Sequence, residues 1–180
     1  MNDNHNAGQR GITLIEACIT LAVLATVAAS AAPGMRGLID ARRLAGAATQ
    51  LGYDLQFARG AAIARNQRVR FSVQTSVAGS CYVIHTGAAG QCDCHRGDGP
   101  AVCGSDAQEL RTVRLSSADR VAMQSNVASI LFDPLHGTST PTGTLRLVGA
   151  DGREVRQIVN VLGRVRACSP QGSVPGYRAC

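Results

Sequence analysis

Residues 11–33 read GITLIEACITLAVLATVAASAAP, and this pattern decides the fold of the chain. From Ile12 to Ala32 the run carries a single charge, Glu16. Its length matches the roughly 20 apolar residues that a helix needs to cross a hydrocarbon core of about 30 Å. The ten residues before it, MNDNHNAGQR, are polar and end on Arg10. A secretory signal peptide has a shorter apolar region and then a small-residue cleavage site, which AASAA at 28–32 imitates. Glu16 and the helical pattern that follows fit that alternative badly. A carboxylate in an apolar span costs on the order of 2.5–3.5 kcal/mol at mid-membrane and less near one end. It calls for a partner, or for a path to the headgroups.

Past this run, Pro33-Gly34 and Gly37 interrupt the pattern. A proline removes one helical hydrogen bond and kinks a long helix rather than abolishing it. Leu44, Ala48, Leu51, Leu55, Ala58 and Ala62 then recur at spacings of four and three. This apolar stripe predicts a helix over roughly 38–66 laid across a sheet, with Arg42, Arg43, Asp54, Gln56, Arg59 and Arg65 off the stripe. The stripe is rich in alanine and lacks aromatic anchors, which disfavours a free membrane-surface helix.

From about residue 68 the period changes to two. Val69, Phe71 and Val73 alternate with polar residues, as do Tyr82 and Ile84, then Leu110, Val113 and Leu115. Ile130–Phe132, Leu145–Val148 and Val155–Val161 continue the series of short strands. Turn signals separate them, and Gly149-Ala150-Asp151-Gly152 predicts a hairpin between strands near 144–149 and 153–161. One long helix followed by antiparallel strands is an α+β plan. The most linker-like stretch is 87–106, rich in Gly, Ala, Asp and Cys.

Composition narrows the chemistry. All 18 basic residues are Arg, and the formal net charge is +6. Without Lys, neither Schiff-base chemistry nor a P-loop is available. Arg-only basicity is also what genome composition alone produces, yet it leaves a cationic surface that favours anionic partners. With three Tyr, three Phe and no Trp, the chain cannot build the aromatic stacking platform of single-strand binders. Cys18 lies in the apolar run, while Cys81, Cys92, Cys94, Cys103, Cys168 and Cys180 form an even set in the polar part. That usage points to an oxidising compartment and up to three disulfides, among 15 possible pairings. Cys168 with Cys180 is the most natural pair by sequence proximity. Cys92-Asp93-Cys94-His95 with Cys103 has a C-x-C-H spacing unlike the C-x₂₋₄-C pairs of structural zinc. His85 and His136 lack an evident nucleophilic partner in sequence, and the residues call for no cofactor and no enzymatic activity.

Gly11-Ile12-Thr13-Leu14-Ile15-Glu16, after a short polar leader, resembles the class III signal of type IV pilins and pseudopilins. The resemblance implies cleavage after Gly11 by a prepilin peptidase and N-methylation of Ile12. The apolar helix would then stay in the inner membrane until assembly packs it among other pilins or pseudopilins. Glu16 would pair with the freed amino terminus of a neighbouring subunit, a charge pair in low dielectric. Pro33 also matches, because pilin helices commonly carry such a residue there. Ile12 departs from the commoner Phe, and Arg10 beside Asp3 gives the leader a weak positive-inside signal.

Within that group, Ala58-Arg59-Gly60-Ala61-Ala62-Ile63-Ala64-Arg65-Asn66-Gln67-Arg68-Val69 resembles the helix end and first strand of the GspH/FimT family. Ile130-Leu131-Phe132-Asp133-Pro134-Leu135-His136-Gly137 resembles its central Phe-x-Pro-x-Gly region, with one extra residue before the Gly. Gly163-Arg164-Val165-Arg166 resembles its C-terminal Gly-Arg-x-Arg motif. The resemblance implies a pilin-like fold: leader 1–11, transmembrane and filament-core helix 12–37, amphipathic half 38–66 and a periplasmic β-rich domain 67–180. In FimT-type minor pilins the motif is associated with binding of transforming DNA.

Residue chemistry supports that expectation independently. Two arginines two apart on an extended segment share a face, a Gly beside them admits close approach, and guanidinium forks bind phosphate bidentately. Gly163, Arg164 and Arg166 are therefore the first candidates for sequence-independent contact with the DNA backbone, with Arg153, Arg156 and Arg178 nearby. The alternatives are a type II secretion pseudopilin with no need of DNA and, more remotely, a zinc-dependent periplasmic enzyme.

Overall fold

The computed structural model describes residues 13–77, 79–96 and 99–180, without the side chains of 31–33. Among the described residues there is a single α-helix, α1, which spans Leu14–Arg65, and the chain divides into two units, Met1–Leu38 and Ile39–Cys180. The expected cleavage and methylation sites, Gly11 and Ile12, lie outside the described residues, as does the leader.

In the first unit the large apolar side chains of the helix are exposed. Leu14, Ile15, Ile19, Leu21, Leu24 and Val27 are each more than half exposed. The hydroxyls of Thr20, Thr26 and Ser30 donate to carbonyl oxygens one turn earlier, at 2.8–2.9 Å. These three hydroxyls are thus satisfied within the helix, as an apolar environment requires. Glu16 is exposed and, among the described residues, has no ion-pair partner; Cys18 is a free, exposed thiol. Among the described residues no single helix is long and apolar enough to cross a membrane. Leu14–Ser30 and Gly34–Arg65 meet that criterion only when taken together.

The second unit holds the core. Every residue of the predicted stripe, Leu44, Ala48, Leu51, Leu55, Ala58 and Ala62, is buried. Burying each leucine side chain there contributes about 1.5–3 kcal/mol. The helix stops where Asn66 takes a left-handed φ of 50° and the Gln67 amide donates back to the Ala62 carbonyl at 3.2 Å.

Eleven strands follow: β1 Val69–Ser76, β2 Gly79–Thr86, β3 Cys92–Asp93, β4 Val102–Cys103, β5 Glu109–Ser116 and β6 Val121–Ser125, then β7 Ser129–Phe132, β8 Ser139–Thr140, β9 Gly143–Gly149, β10 Glu154–Val159 and β11 Val165–Cys168. One antiparallel sheet has the order β5-β2-β1-β7-β8, and a second has the order β11-β10-β9-β6. Phe71, Tyr82, Ile84, Ile130 and Phe132 from the first join Val121, Met123, Leu145, Leu147, Val155 and Val159 from the second around the helix stripe. Gln157 ties the second sheet to α1 by donating to the Ala48 carbonyl at 2.8 Å, opposite Gly52.

The structure corrects four readings of the sequence. Asp54, expected off the stripe, is fully buried. Tyr82 donates to its carboxylate at 2.7 Å, Gln50 at 3.0 Å, and Arg111 of β5 completes the site as an ion pair. A strand opposite the helix supplied the countercharge, which no helical periodicity can reveal. Strand β6 was not expected, because Val-Ala-Met-Gln-Ser is short and weak in β-branched residues.

The Cys-rich stretch is not a linker. Cys81–Cys94 and Cys92–Cys103 fasten it over the face of the first sheet opposite the helix. There Cys81, Val83, Cys92, Cys94 and Ala101 form a second small core. Gln74 donates to the Cys92 carbonyl at 2.6 Å and accepts from the Cys94 amide at 2.9 Å. Arg114 donates to the Cys94 carbonyl at 2.9 Å. The third bridge, Cys168–Cys180, is the pair expected from proximity. With all six thiols oxidised, Cys92, Cys94 and Cys103 have no thiolate to offer zinc.

Lastly, His85 does have a serine partner. Its Nδ1 lies 2.8 Å from the Thr86 carbonyl, so Nε2 accepts the Ser72 hydroxyl at 2.9 Å. Burial pushes the His85 pKa below its usual value, and both residues are closed to substrate. The pair is a buried hydrogen bond, satisfying two polar groups on the sheet.

Candidate nucleic-acid interface

The turn between β10 and β11 is shaped by Asn160 and Gly163. Asn160 accepts the Gly163 amide on its carbonyl and the Arg164 amide on Oδ1, both at 2.9 Å. Gly163 has φ +69°, where an L side chain is strained, and it is buried. A Cβ there would collide with the Gly137 carbonyl oxygen and come within 2.9 Å of Arg59 Nε. The turn therefore packs closely against both α1 and the 133–137 segment.

That segment is itself a tight turn. Asp133 Oδ1 accepts the amides of Leu135 at 3.0 Å and His136 at 3.2 Å, and its carbonyl accepts Gly137 N at 2.9 Å. Gly137 also takes a left-handed φ, +61°, and its carbonyl accepts Arg59 Nε at 2.8 Å. The three stretches singled out in the sequence, around Arg59, Gly137 and Gly163, thus meet at one place. Arg59 escaped attention as a site residue; its signal was its place inside the first of those stretches.

Beyond the turn, β11 pairs, among the described residues, with β10 alone and forms the edge of its sheet. Val165 turns toward the core, and Arg164 and Arg166 are exposed. Alternation along the extended chain puts both on one face. Two clefts flank Arg164. One, of about 420 Å³, is lined by Gln56, Arg59, Gly60, Ile63, Gly163, Arg164 and Val165. The other, of about 480 Å³, is lined by Ile158, Asn160, Arg164, Val165 and Arg166.

Charge pairing divides the remaining arginines. Glu154 accepts Arg146 at 2.7 Å and Arg156 at 2.6 Å, and these guanidiniums hold its pKa down to about 2. Arg153 pairs with Asp151, whose carboxyl is likewise held low by it. Among the described residues Arg164, Arg166 and Arg178 have no carboxylate in ion-pair range. Arg178 sits in the segment that Cys168–Cys180 closes, with its carbonyl accepting Ser169 N at 2.9 Å. The six expected residues thus separate into Arg153 and Arg156, already engaged by acids, and Gly163, Arg164, Arg166 and Arg178, which are not.

Comparison with other proteins agrees with this architecture. The type IV minor pilin FimU of Pseudomonas aeruginosa matches in two crystal forms. One gives a TM-score of 0.52 at 19% identity, covering 72% of this chain and 94% of that one. The other gives 0.51 at 20%, covering 70% and 96%. At such identity the likeness shows the fold: a long helix packed on antiparallel sheets. No curated protein sequence matches. The sequence pattern of the family described as Type II transport protein GspH matches residues 47–163, more than half of the chain. That stretch contains the helix stripe from Ala48 onward, the first sheet, β6, β9 and β10 of the second, and the turn glycines, so this chain belongs to the GspH family, a structural rather than enzymatic group of pilin-like proteins.

Proposed function

We propose that this chain is a minor pilin that joins a type IV pilus filament through its apolar helix and holds DNA by its phosphate backbone. Arg164 and Arg166 are the principal contacts. The observation that carries the DNA reading is the contrast in charge pairing. Arg146, Arg153 and Arg156 are ion-paired with Glu154 or Asp151, while among the described residues Arg164, at the end of the turn, and Arg166, on the edge strand, stand exposed and unpaired. Unpaired guanidiniums on a shared face suit bidentate phosphate contact. Such contact ignores base sequence and weakens steeply with salt.

The uncovered leucines and isoleucines from Leu14 to Val27 support assembly, first in lipid and then among neighbouring helices. In that reading Glu16 meets a neighbour's freed amino terminus, after cleavage behind Gly11 by a prepilin peptidase and methylation of Ile12. A type II secretion pseudopilin is the second reading, favoured by the description of the matching family. It requires the same helix and no affinity for DNA.

The test is binding of labelled duplex DNA across a salt series, by the full chain in neutral detergent and by the Arg164→Ala/Arg166→Ala double variant. Loss of two phosphate contacts lowers the log–log salt slope by about 1.8. An unchanged slope in the variant removes these residues from the proposal. No binding by the wild type at low salt leaves the pseudopilin reading standing.

A further inference from the structure

Arg59 projects from the helix into the cleft that Arg164 borders from the turn. Its Nε is anchored on the Gly137 carbonyl at 2.8 Å. Among the described residues, its Nη1 and Nη2 have no hydrogen-bond partner and no carboxylate in ion-pair range. Other arginines that lie against α1 differ: Arg111 is paired with Asp54 and Arg120 with Asp40.

Two turns close on this one guanidinium. A Cβ at Gly137 would lie 2.9 Å from Arg59 Nε and 3.3 Å from Nη2, and one at Gly163 would lie 2.9 Å from Nε and 3.0 Å from Cδ. Both positions have left-handed φ, so backbone rather than side chain frames the arginine. The anchor fixes the plane of the fork, which reduces the rotamer entropy that a ligand contact would cost. Two cations bordering one cleft with no acid between them repel, and an anion between them removes that repulsion.

We infer that Arg59 is a third phosphate-contacting arginine, opposite Arg164 across the cleft, so that α1 and the β10–β11 turn hold one phosphodiester backbone between them. The inference rests on the DNA reading above and extends it from an edge strand to a two-sided site.

The experiment compares the wild type, Arg59→Ala, Arg59→Gln, Arg164→Ala and the Arg59→Ala/Arg164→Ala double variant. Each is the full chain in neutral detergent, and a labelled DNA duplex is titrated over a salt series. Each phosphate contact contributes about 0.9 to the slope, so a roughly fourfold rise in salt weakens binding about 3.5-fold per contact. Arg59→Ala and Arg164→Ala are each expected to lower the slope by about 0.9, and the double variant by about 1.8. Arg59→Gln keeps a donor for the Gly137 carbonyl and removes the charge. Its slope is expected to fall equally, which preserves the test if the alanine variant fails to fold. A full slope in Arg59→Gln, or an Arg59 effect that vanishes when Arg164 is absent, overturns the inference and makes Arg59 a support for the turn. Binding that needs Arg164 but not Arg59 overturns the inference alone. No binding by the wild type at low salt overturns both it and the DNA reading.

Discussion

Removing the Asp54 carboxylate tests how the helix is held on the sheet. Asp54 is fully buried, and its carboxylate accepts Tyr82 at 2.7 Å, Gln50 at 3.0 Å and an ion pair from Arg111. Arg111 also stacks over Phe57, 4.9 Å from the ring centroid, and 42% of its side chain is exposed. Breaking a buried ion pair costs about 3–5 kcal/mol when the surviving charge stays buried. In Asp54→Ala the survivor is Arg111, which can rehydrate, so the low end applies, about 3 kcal/mol. For a unit of this size that lowers the Tm by about 10 °C.

The reverse deletion behaves differently. In Arg111→Ala the carboxylate remains fully buried beside two neutral donors, so the upper end of that range applies, about 5 kcal/mol. The assay is thermal unfolding of the Ile39–Cys180 unit, followed by circular dichroism under non-reducing conditions at neutral pH. A deficit in Arg111→Ala smaller than that in Asp54→Ala would refute the reasoning. So would an Asp54→Ala variant as stable as the wild type.

Three further outcomes follow from the same structure. The carboxyl of Glu154 is held at about 2 by Arg146 and Arg156, from an ordinary value of 4.5. Its stabilising contribution is therefore complete above pH 4.5 and lost as pH falls toward 2, and Glu154→Gln is expected to flatten that part of the acid-unfolding curve. Mutating Cys92 and Cys103 together to Ser removes a bridge of sequence separation 11, worth about 3 kcal/mol in the chain-entropy model. Amide exchange should then accelerate over 91–104 while the helix stripe stays protected; uniform acceleration would contradict a separate small core. Gly163→Ala places a side chain at φ +69° against the Gly137 carbonyl. It is expected to lose at least about 1–2 kcal/mol in urea unfolding, and a neutral result would show that the turn does not pack as described.

Much of the fold was legible because it follows from local periodicity. Leu44 to Ala62 at spacings of four and three define one helical face, and that face is the buried one. Strands with alternating β-branched residues, such as Val69–Val73, were equally plain, whereas Val121–Ser125 was not. The Gly149–Gly152 turn was expected, and Gly152 indeed has φ +80°. In the candidate site Gly-Arg-x-Arg marked the arginine pair, but its place beside and on a sheet-edge strand was not readable. Which arginines remain uncompensated was not readable, since Glu154 meets Arg146 across two paired strands.

Sequence alone therefore determined the helix and its buried stripe, the α+β order and the even cysteine set, because apolar spacing and residue chemistry act over a few neighbours. Tertiary structure alone decided the Asp54–Arg111 pair, two of the three disulfides and the meeting of Arg59, Gly137 and Gly163. Each of these joins residues distant along the chain, and whether two such groups touch depends on sheet order and register. A one-dimensional pattern does not carry that information.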